Sequence, residues 1–127
     1  MTGAERGSAT IWVLACCALV MLVGFLGVAR TQAVLARHRA DAAADLAALA
    51  GAGRIGVGGD VCGVASALAA ANGAAVGSCA VRLAADGRSG TVRVQVAITV
   101  HLPIAGTRTV IASARAGRAQ VSRASAG

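Results

Sequence analysis

Two cysteines, Cys62 and Cys79, are the residues of this chain whose type and spacing best suit a chemical role. The first falls at the start of a predicted helix and the second at the start of a predicted strand. A bond between them would close a loop of about 18 residues, stabilise the fold by about 3 kcal/mol and require an oxidising compartment. Free thiols are one alternative. A zinc site completed by His38 or His101 is another, although no two of these residues have metal-ligand spacing.

The remaining polar residues offer little for catalysis. His38 lies on a predicted helix and His101 on the polar face of a predicted strand, and neither has a serine or cysteine nucleophile nearby in sequence. Solvated or hydrogen-bonded structural histidines are therefore favoured over a general base. We predict that the chain is not an enzyme and has no catalytic residues, no metal and no cofactor. The acids are Glu5, Asp41, Asp45, Asp60 and Asp86.

Cys16 and Cys17 lie in the middle of a long apolar stretch. Adjacent residues of a helix project to different sides, so these two thiols are not expected to bond to each other. We interpret them as small apolar fillers, with lipidation as the alternative.

Residues 7–29 form that apolar stretch, which has no charge and follows a polar lead at residues 1–6. An α-helix needs about 20 apolar residues to cross the hydrocarbon core of a bilayer, where only internal hydrogen bonds satisfy its backbone. The stretch therefore predicts a transmembrane segment. A buried core helix of a soluble domain is the alternative, but such a helix would show a polar face, and this stretch offers only Ser8, Thr10 and small residues.

The helix is predicted to continue outside the membrane over residues 30–50, which contain no Gly or Pro and are rich in helix formers. Arg37 and Asp41 are spaced to form a favourable pair, whereas Asp41 and Asp45 repel mildly. One helix is therefore expected from about residue 8 to about residue 50, where glycines end it. A helical stripe with spacings of three and four is formed by Leu35, His38, Ala42, Leu46 and Leu49.

A glycine-rich linker is predicted at residues 51–60. It does not match a phosphate-binding loop, because no strand precedes it and no Lys-Ser/Thr pair follows. A second, shorter helix is predicted over residues 61–72, with Asp60 as its N-cap and Asn72-Gly73 as its end.

From Ser78 onward, apolar and polar residues alternate, which predicts strands with one face in contact with water. The clearest run covers residues 91–102, ended by Pro103, and a third covers residues 108–116. Short turns join the three strands, so an antiparallel meander covered by the helices is expected. The fold class is therefore α+β, with a small domain at residues 61–116 and a disordered tail at residues 117–127.

The net charge is +7, and all twelve basic residues are arginine. Basic chains often bind anionic partners. The arginines are spread along the sequence and no aromatic residue lies among them, which disfavours recognition of single-stranded nucleic acid. A solvated basic surface that faces anionic lipid or envelope polymers is the favoured interpretation, and nucleic acid is an unlikely partner. The core must pack Val, Leu, Ile and Ala alone, because Trp12 and Phe25 both lie in the apolar stretch.

Two segments carry a family resemblance. Arg6-Gly7-Ser8-Ala9-Thr10, which runs directly into the apolar stretch, resembles the start of TadE/TadG-like proteins of tight-adherence (Flp-type) pilus assembly. Residues 37–50, where a basic patch leads into an Ala/Asp-rich helix, resemble the second half of the same pattern. Together they cover about the first 50 residues and are most similar to the small actinobacterial TadE-like branch.

The resemblance implies a pilin-like fold and a single-pass protein of the cytoplasmic membrane that acts in pilus or secretion-apparatus assembly. It also implies other pilus or secretion subunits as partners, contacted through the N-terminal helix. Gly7 and Ser8 are the implied processing site, since members cut by a prepilin peptidase have glycine before the cut. Those members carry glutamate five residues after the glycine, where this chain has Trp12.

Two indications of membrane orientation conflict. The positive-inside rule places the side with Arg30, Arg37 and Arg39 in the cytoplasm, against the single Arg6 at the front. The resemblance and the predicted disulfide indicate the reverse. We adopt the second orientation, in which residues 31–127 lie outside the cytoplasmic membrane.

The leading hypothesis is therefore a non-enzymatic, membrane-anchored pseudopilin-like subunit or assembly factor of a Tad-type pilus or secretion apparatus. The alternative is a secreted effector or binding protein in which residues 1–29 are a signal peptide, with Gly27-Val28-Ala29 as the cleavage site. A membrane-tethered nucleic-acid-binding protein is a third hypothesis, supported by the net charge alone.

Overall fold

The computed structural model describes residues 6–102 and 105–120. A long apolar helix, a short helix and a three-stranded antiparallel sheet make up the fold, so the predicted α+β class is confirmed. The elements are α1 (Arg6–Arg54), α2 (Val61–Ala71), β1 (Ala75–Leu83), β2 (Gly90–Leu102) and β3 (Gly106–Arg118).

The chain divides into two units, Met1–Leu35 and Ala36–Gly127. The described part of the first unit is helical throughout. The second unit contains the end of α1, helix α2 and the sheet, and every buried apolar residue of the described chain belongs to it.

Helix α1 extends beyond the predicted stop, since Gly51 and Gly53 are both helical and the helix ends at Arg54. A Cβ atom added at Gly51 would lie 3.3 Å from side-chain atoms of both Val61 and Val92. Gly51 therefore packs closely against α2 and β2, where a Cβ atom would make tight contacts, and it does not terminate the helix. The first four residues of the predicted linker are consequently helical.

The buried face of α1 within the second unit consists of alanine. Ala40, Ala43, Ala44, Ala47 and Ala48 are each at most 2% exposed. The small side chains let the helix backbone lie close to its neighbours, whereas the leucines of the predicted stripe remain largely exposed, with Leu46 at 44% and Leu49 at 62%. The spacing of the leucines therefore does not identify the face that packs in the core.

Helix α2 has the predicted ends. The Asp60 side chain accepts a hydrogen bond from the backbone N–H of Gly63 at 2.9 Å, as an N-cap residue does. At the other end, Asn72 caps the helix and Gly73 adopts a φ of 72°, a conformation that glycine reaches without strain. Ala65 and Ala69 are its buried residues.

The sheet has the order β1-β2-β3, with both pairs antiparallel. The alternation predicted for β2 is confirmed, because Val92, Val94 and Val96 are fully buried in the central strand. Strand β1 begins at Ala75 and not at Ser78. A register shift between Val76 and Ser78 interrupts the two-residue period there, so the first part of the strand carries no alternation in sequence.

A short turn joins β1 to β2, as expected for a meander. The backbone N–H of Ala84 donates to the carbonyl of Ser89 at 2.9 Å, and that of Gly87 donates to the carbonyl of Ala84 at 3.0 Å. Pro103, the predicted end of the second strand, lies outside the described residues. Strand β3 continues to Arg118, so the first two residues of the predicted disordered tail belong to the sheet.

Candidate functional site

The apolar part of α1 exposes nearly all of its large side chains. The exposed fraction of its large apolar side chains between Ile11 and Val28 ranges from 46% at Phe25 to 76% at Met21. One helix in the described chain, Gly7–Arg54, is long and apolar enough to cross a membrane, with a mean hydropathy of 2.7 in its most apolar window and none of that window buried. A soluble core helix is mostly buried, so the exposure favours a membrane anchor or a signal sequence.

Cys16 and Cys17 are both free and exposed on this helix. Together with Val20 and Met21 they line a shallow apolar depression of about 350 Å³. Gly7 and Ser8, the residues of the implied processing site, lie in the first helical turn and are exposed.

The predicted pair on α1 forms, with Nε of Arg37 lying 3.4 Å from a carboxylate oxygen of Asp41. Both side chains are about half exposed or more, so the pair contributes only about 0.3–0.5 kcal/mol. Asp45 and His38 are exposed near it. These residues form a solvated helix surface with no geometry suited to catalysis.

Cys62 and Cys79 are joined in a disulfide bond, with their Cα atoms 5.9 Å apart. Cys62 lies in the first turn of α2 and Cys79 in β1, where it is opposite Val94 of the central strand. Both cysteines are half-buried, and Cys79 packs against the core. The bond therefore links the helix to an edge strand of the sheet.

The zinc alternative has no support in the described part of the chain. No group of three or more His, Cys, Asp or Glu residues there could hold a metal ion. His101 is instead hydrogen-bonded through Nδ1 to the hydroxyl of Thr107 across β2 and β3, at 3.0 Å. His38 lies on α1, and among the described residues neither histidine belongs to a group with the cysteines that could hold a metal ion.

Asp86 organises the turn between β1 and β2. Its carboxylate accepts hydrogen bonds from the backbone N–H groups of Arg88 and Ser89, each at 3.0 Å, and from the Ser89 hydroxyl. These bonds, led by the Ser89 backbone N–H, hold the pKa of Asp86 below its ordinary value because they favour the charged form. Asp86 therefore stabilises the turn.

Sequence reasoning missed the role of Arg118. Its guanidinium donates a hydrogen bond of 2.7 Å to the carbonyl of Ile55, the residue that follows the end of α1. Carbonyls at a helix C-terminus lack intrahelical partners and carry partial negative charge, so a cation stabilises them. No signal in the sequence links these two residues, which are 63 positions apart.

The described part of the chain therefore combines an exposed apolar helix, which is a candidate membrane-spanning segment, with a disulfide-linked α+β unit. The family model described as "Putative Flp pilus-assembly TadE/G-like" matches residues 7–54. The matched segment is α1 without its first residue. The match supports the TadE-like family and agrees with the resemblance found in the motif at residues 6–10.

The other two comparisons contribute no relative. Neither the curated proteins nor the solved structures include a match to this chain. The match to the family model therefore concerns α1 alone and does not extend to the disulfide-linked part that follows.

Proposed function

We propose that the chain is a non-enzymatic, membrane-anchored, pseudopilin-like subunit or assembly factor of a Tad-type pilus or secretion apparatus. The observation that carries the proposal is the coincidence of the pilus-assembly family match with helix α1, whose apolar surface is unburied. A helix with this surface must be covered by lipid, by other helices, or by both. We propose that other subunits provide part of this cover by contacting the helix.

The orientation that we propose has residues 31–127 outside the cytoplasmic membrane. The disulfide supports it, because such bonds form and persist in oxidising compartments. The arginines that follow the apolar stretch oppose it by the positive-inside rule. One of them, Arg37, is paired with Asp41, which weakens the charge asymmetry on that side.

A secreted protein with residues 1–29 as signal peptide is the second candidate, since a signal sequence also gives an apolar N-terminal helix. One observation favours the anchor. The family match covers residues on both sides of Gly27-Val28-Ala29, the expected cleavage site.

The orientation is tested by labelling intact cells with a membrane-impermeant maleimide, with and without reductant. The full chain should carry Cys16→Ala and Cys17→Ala, so that only the disulfide cysteines can react. We expect labelling only after reduction. Labelling that appears only after lysis, without reductant, would place the domain in the cytoplasm and contradict the proposed orientation.

The mass of the same purified chain distinguishes the remaining possibilities. An intact chain, or one shortened by seven residues after cleavage between Gly7 and Ser8, supports an anchored subunit. Loss of 29 residues, with the product in the medium, supports the secreted alternative. If the protein is anchored, photo-crosslinkers at two exposed positions of the apolar helix, Leu19 and Val23, should form crosslinks to other pilus subunits. A crosslinker at Thr99, an exposed residue of the sheet, is the control for crosslinking that results from proximity alone.

A further inference from the structure

Three arginines gather on the outer face of the sheet, away from the core. Arg82 of β1, Arg93 of β2 and Arg115 of β3 are all exposed, and with Ala80 and Thr91 they line one depression of about 290 Å³. We refer to these five residues as the arginine face. In sequence the three arginines are 11 and 22 residues apart, so only the pairing of the strands brings them together.

The register of the sheet explains the cluster. Arg93 is directly opposite Arg115 in the β2–β3 pair and directly opposite Ala80 in the β1–β2 pair. Arg82 pairs with Thr91, one position further along the same face. Directly opposed side chains have Cβ atoms about 4.5–5.5 Å apart, and diagonal neighbours are within reach of long side chains. The three guanidinium groups can therefore converge on one ligand.

This arrangement is unfavourable for the isolated protein, because like charges directly opposite each other destabilise a sheet. None of the three guanidinium groups has an ion pair or a hydrogen bond with a residue that the structure describes; the one ion pair in those ranges is Arg37–Asp41. The carboxylate of Asp86, next to β1, is occupied within its own turn. A bound anion would offset the repulsion that no described acidic residue offsets.

We propose that the arginine face binds a flexible anionic polymer through its phosphodiester groups. The guanidinium group is planar, remains charged and presents parallel N–H donors that match two oxygens of a phosphate. Three such groups around one shallow depression hold adjacent phosphates of a chain, and the Thr91 hydroxyl provides a further donor. This inference goes beyond the proposed assembly role and does not depend on it.

The lining of the depression disfavours other anionic partners. It contains no aromatic residue on which the bases of a single-stranded nucleic acid could stack. It also contains no aromatic or large aliphatic side chain of the kind that interfacial segments insert into a lipid surface. A second copy of the chain is a poor occupant as well, because each copy carries a net charge of +7.

The test measures binding of a fluorescently labelled poly(glycerol phosphate) chain to the full protein in a neutral detergent, by fluorescence anisotropy at several salt concentrations. The test variant is R93Q/R115Q. The matched control is R39Q/R108Q, which removes the same charge from two exposed arginines outside the depression. Circular dichroism checks that both variants are folded.

We expect the test variant to lose at least tenfold in affinity and the control to lose less than threefold. The plot of log K against log salt has a negative slope, and its magnitude should decrease by about 1.4 in the test variant. That is the change expected for two lost phosphate contacts with a flexible strand. Equal losses in the two variants would show attraction to net charge alone and would overturn the proposal. The R93K/R115K variant keeps the charge but lacks the planar donors, so we expect at least a threefold loss there; unchanged affinity would contradict paired guanidinium contacts.

Competition distinguishes the sources of phosphate. Unlabelled poly(glycerol phosphate), duplex DNA and phosphatidylglycerol in detergent micelles are added at equal phosphate concentration to the complex with the labelled chain. The proposal requires the flexible polymer to be the strongest competitor. Stronger competition by the duplex or by the lipid would assign the arginine face to nucleic acid or to a membrane surface instead.

Discussion

Removal of the disulfide should destabilise the second unit far more than removal of two other cysteines. The perturbation is Cys62→Ala with Cys79→Ala, which opens a covalent loop with a sequence separation of 17. The chain-entropy relation for a loop of about 18 residues gives a loss of about 11 cal/mol/K, or about 3 kcal/mol at 25 °C. The bond links α2 to an edge strand, and the core of this unit is built from alanine, valine and isoleucine without aromatic residues.

The assay is urea unfolding of the full chain in a mild detergent, followed by the far-UV circular dichroism of the sheet. Intrinsic fluorescence is unsuitable, because Trp12 lies in the apolar helix and reports on the first unit. With a denaturant dependence of about 1–2 kcal/mol/M, a loss of about 3 kcal/mol lowers the midpoint by about 1.5–3 M.

The chain provides its own control in Cys16→Ala with Cys17→Ala, which removes two free cysteines of the apolar helix. That variant should leave the unfolding midpoint of the sheet unchanged. The reasoning is refuted if the control variant shifts the midpoint as much as loss of the disulfide does. A shift of less than about 0.5 M on loss of the disulfide would also refute it, because the entropy of the loop predicts several times more.

Three further predictions concern the packing of α1, its C-terminal end and the first turn of the sheet. Ala44→Leu should lower the free energy of unfolding by about 1–3 kcal/mol by overpacking a position that is 1% exposed, while Ala42→Leu on the exposed side of the same helix should change it little. Arg118→Gln should cost about 1 kcal/mol and speed amide hydrogen exchange in the last turn of α1, an effect that Arg108→Gln should not produce. In an NMR pH titration, the midpoint of Asp86 should lie below its ordinary pKa of 3.8. The stabilising contribution of its carboxylate is present above that value and is lost as the pH falls through the lowered pKa. A midpoint at or above 3.8 would contradict the hydrogen bonds of the turn.

Local rules were sufficient for several elements of the fold. The apolar stretch predicts a membrane-spanning helix because its signal is a run of consecutive apolar residues. The exposure of that helix agrees with a candidate membrane span. The ends of α2 were predictable because an N-cap aspartate and an Asn-Gly end act within one helical turn. The alternation in β2 identified the buried valines, since successive side chains of a strand point to opposite faces.

The sequence by itself therefore determined the apolar helix, the α+β class, the order of the elements and the cysteine pair suited to a disulfide. Only the tertiary structure showed that Gly51 continues the helix and packs closely against Val61 and Val92, because those contacts join residues that are distant in sequence or lie in other elements. It also decided that alanine forms the buried face of α1, since the approach of neighbouring elements sets the side-chain size that fits. The contact of Arg118 with Ile55 and the arginine face depend on which strands pair and in which register, and those pairings join residues that no local pattern connects.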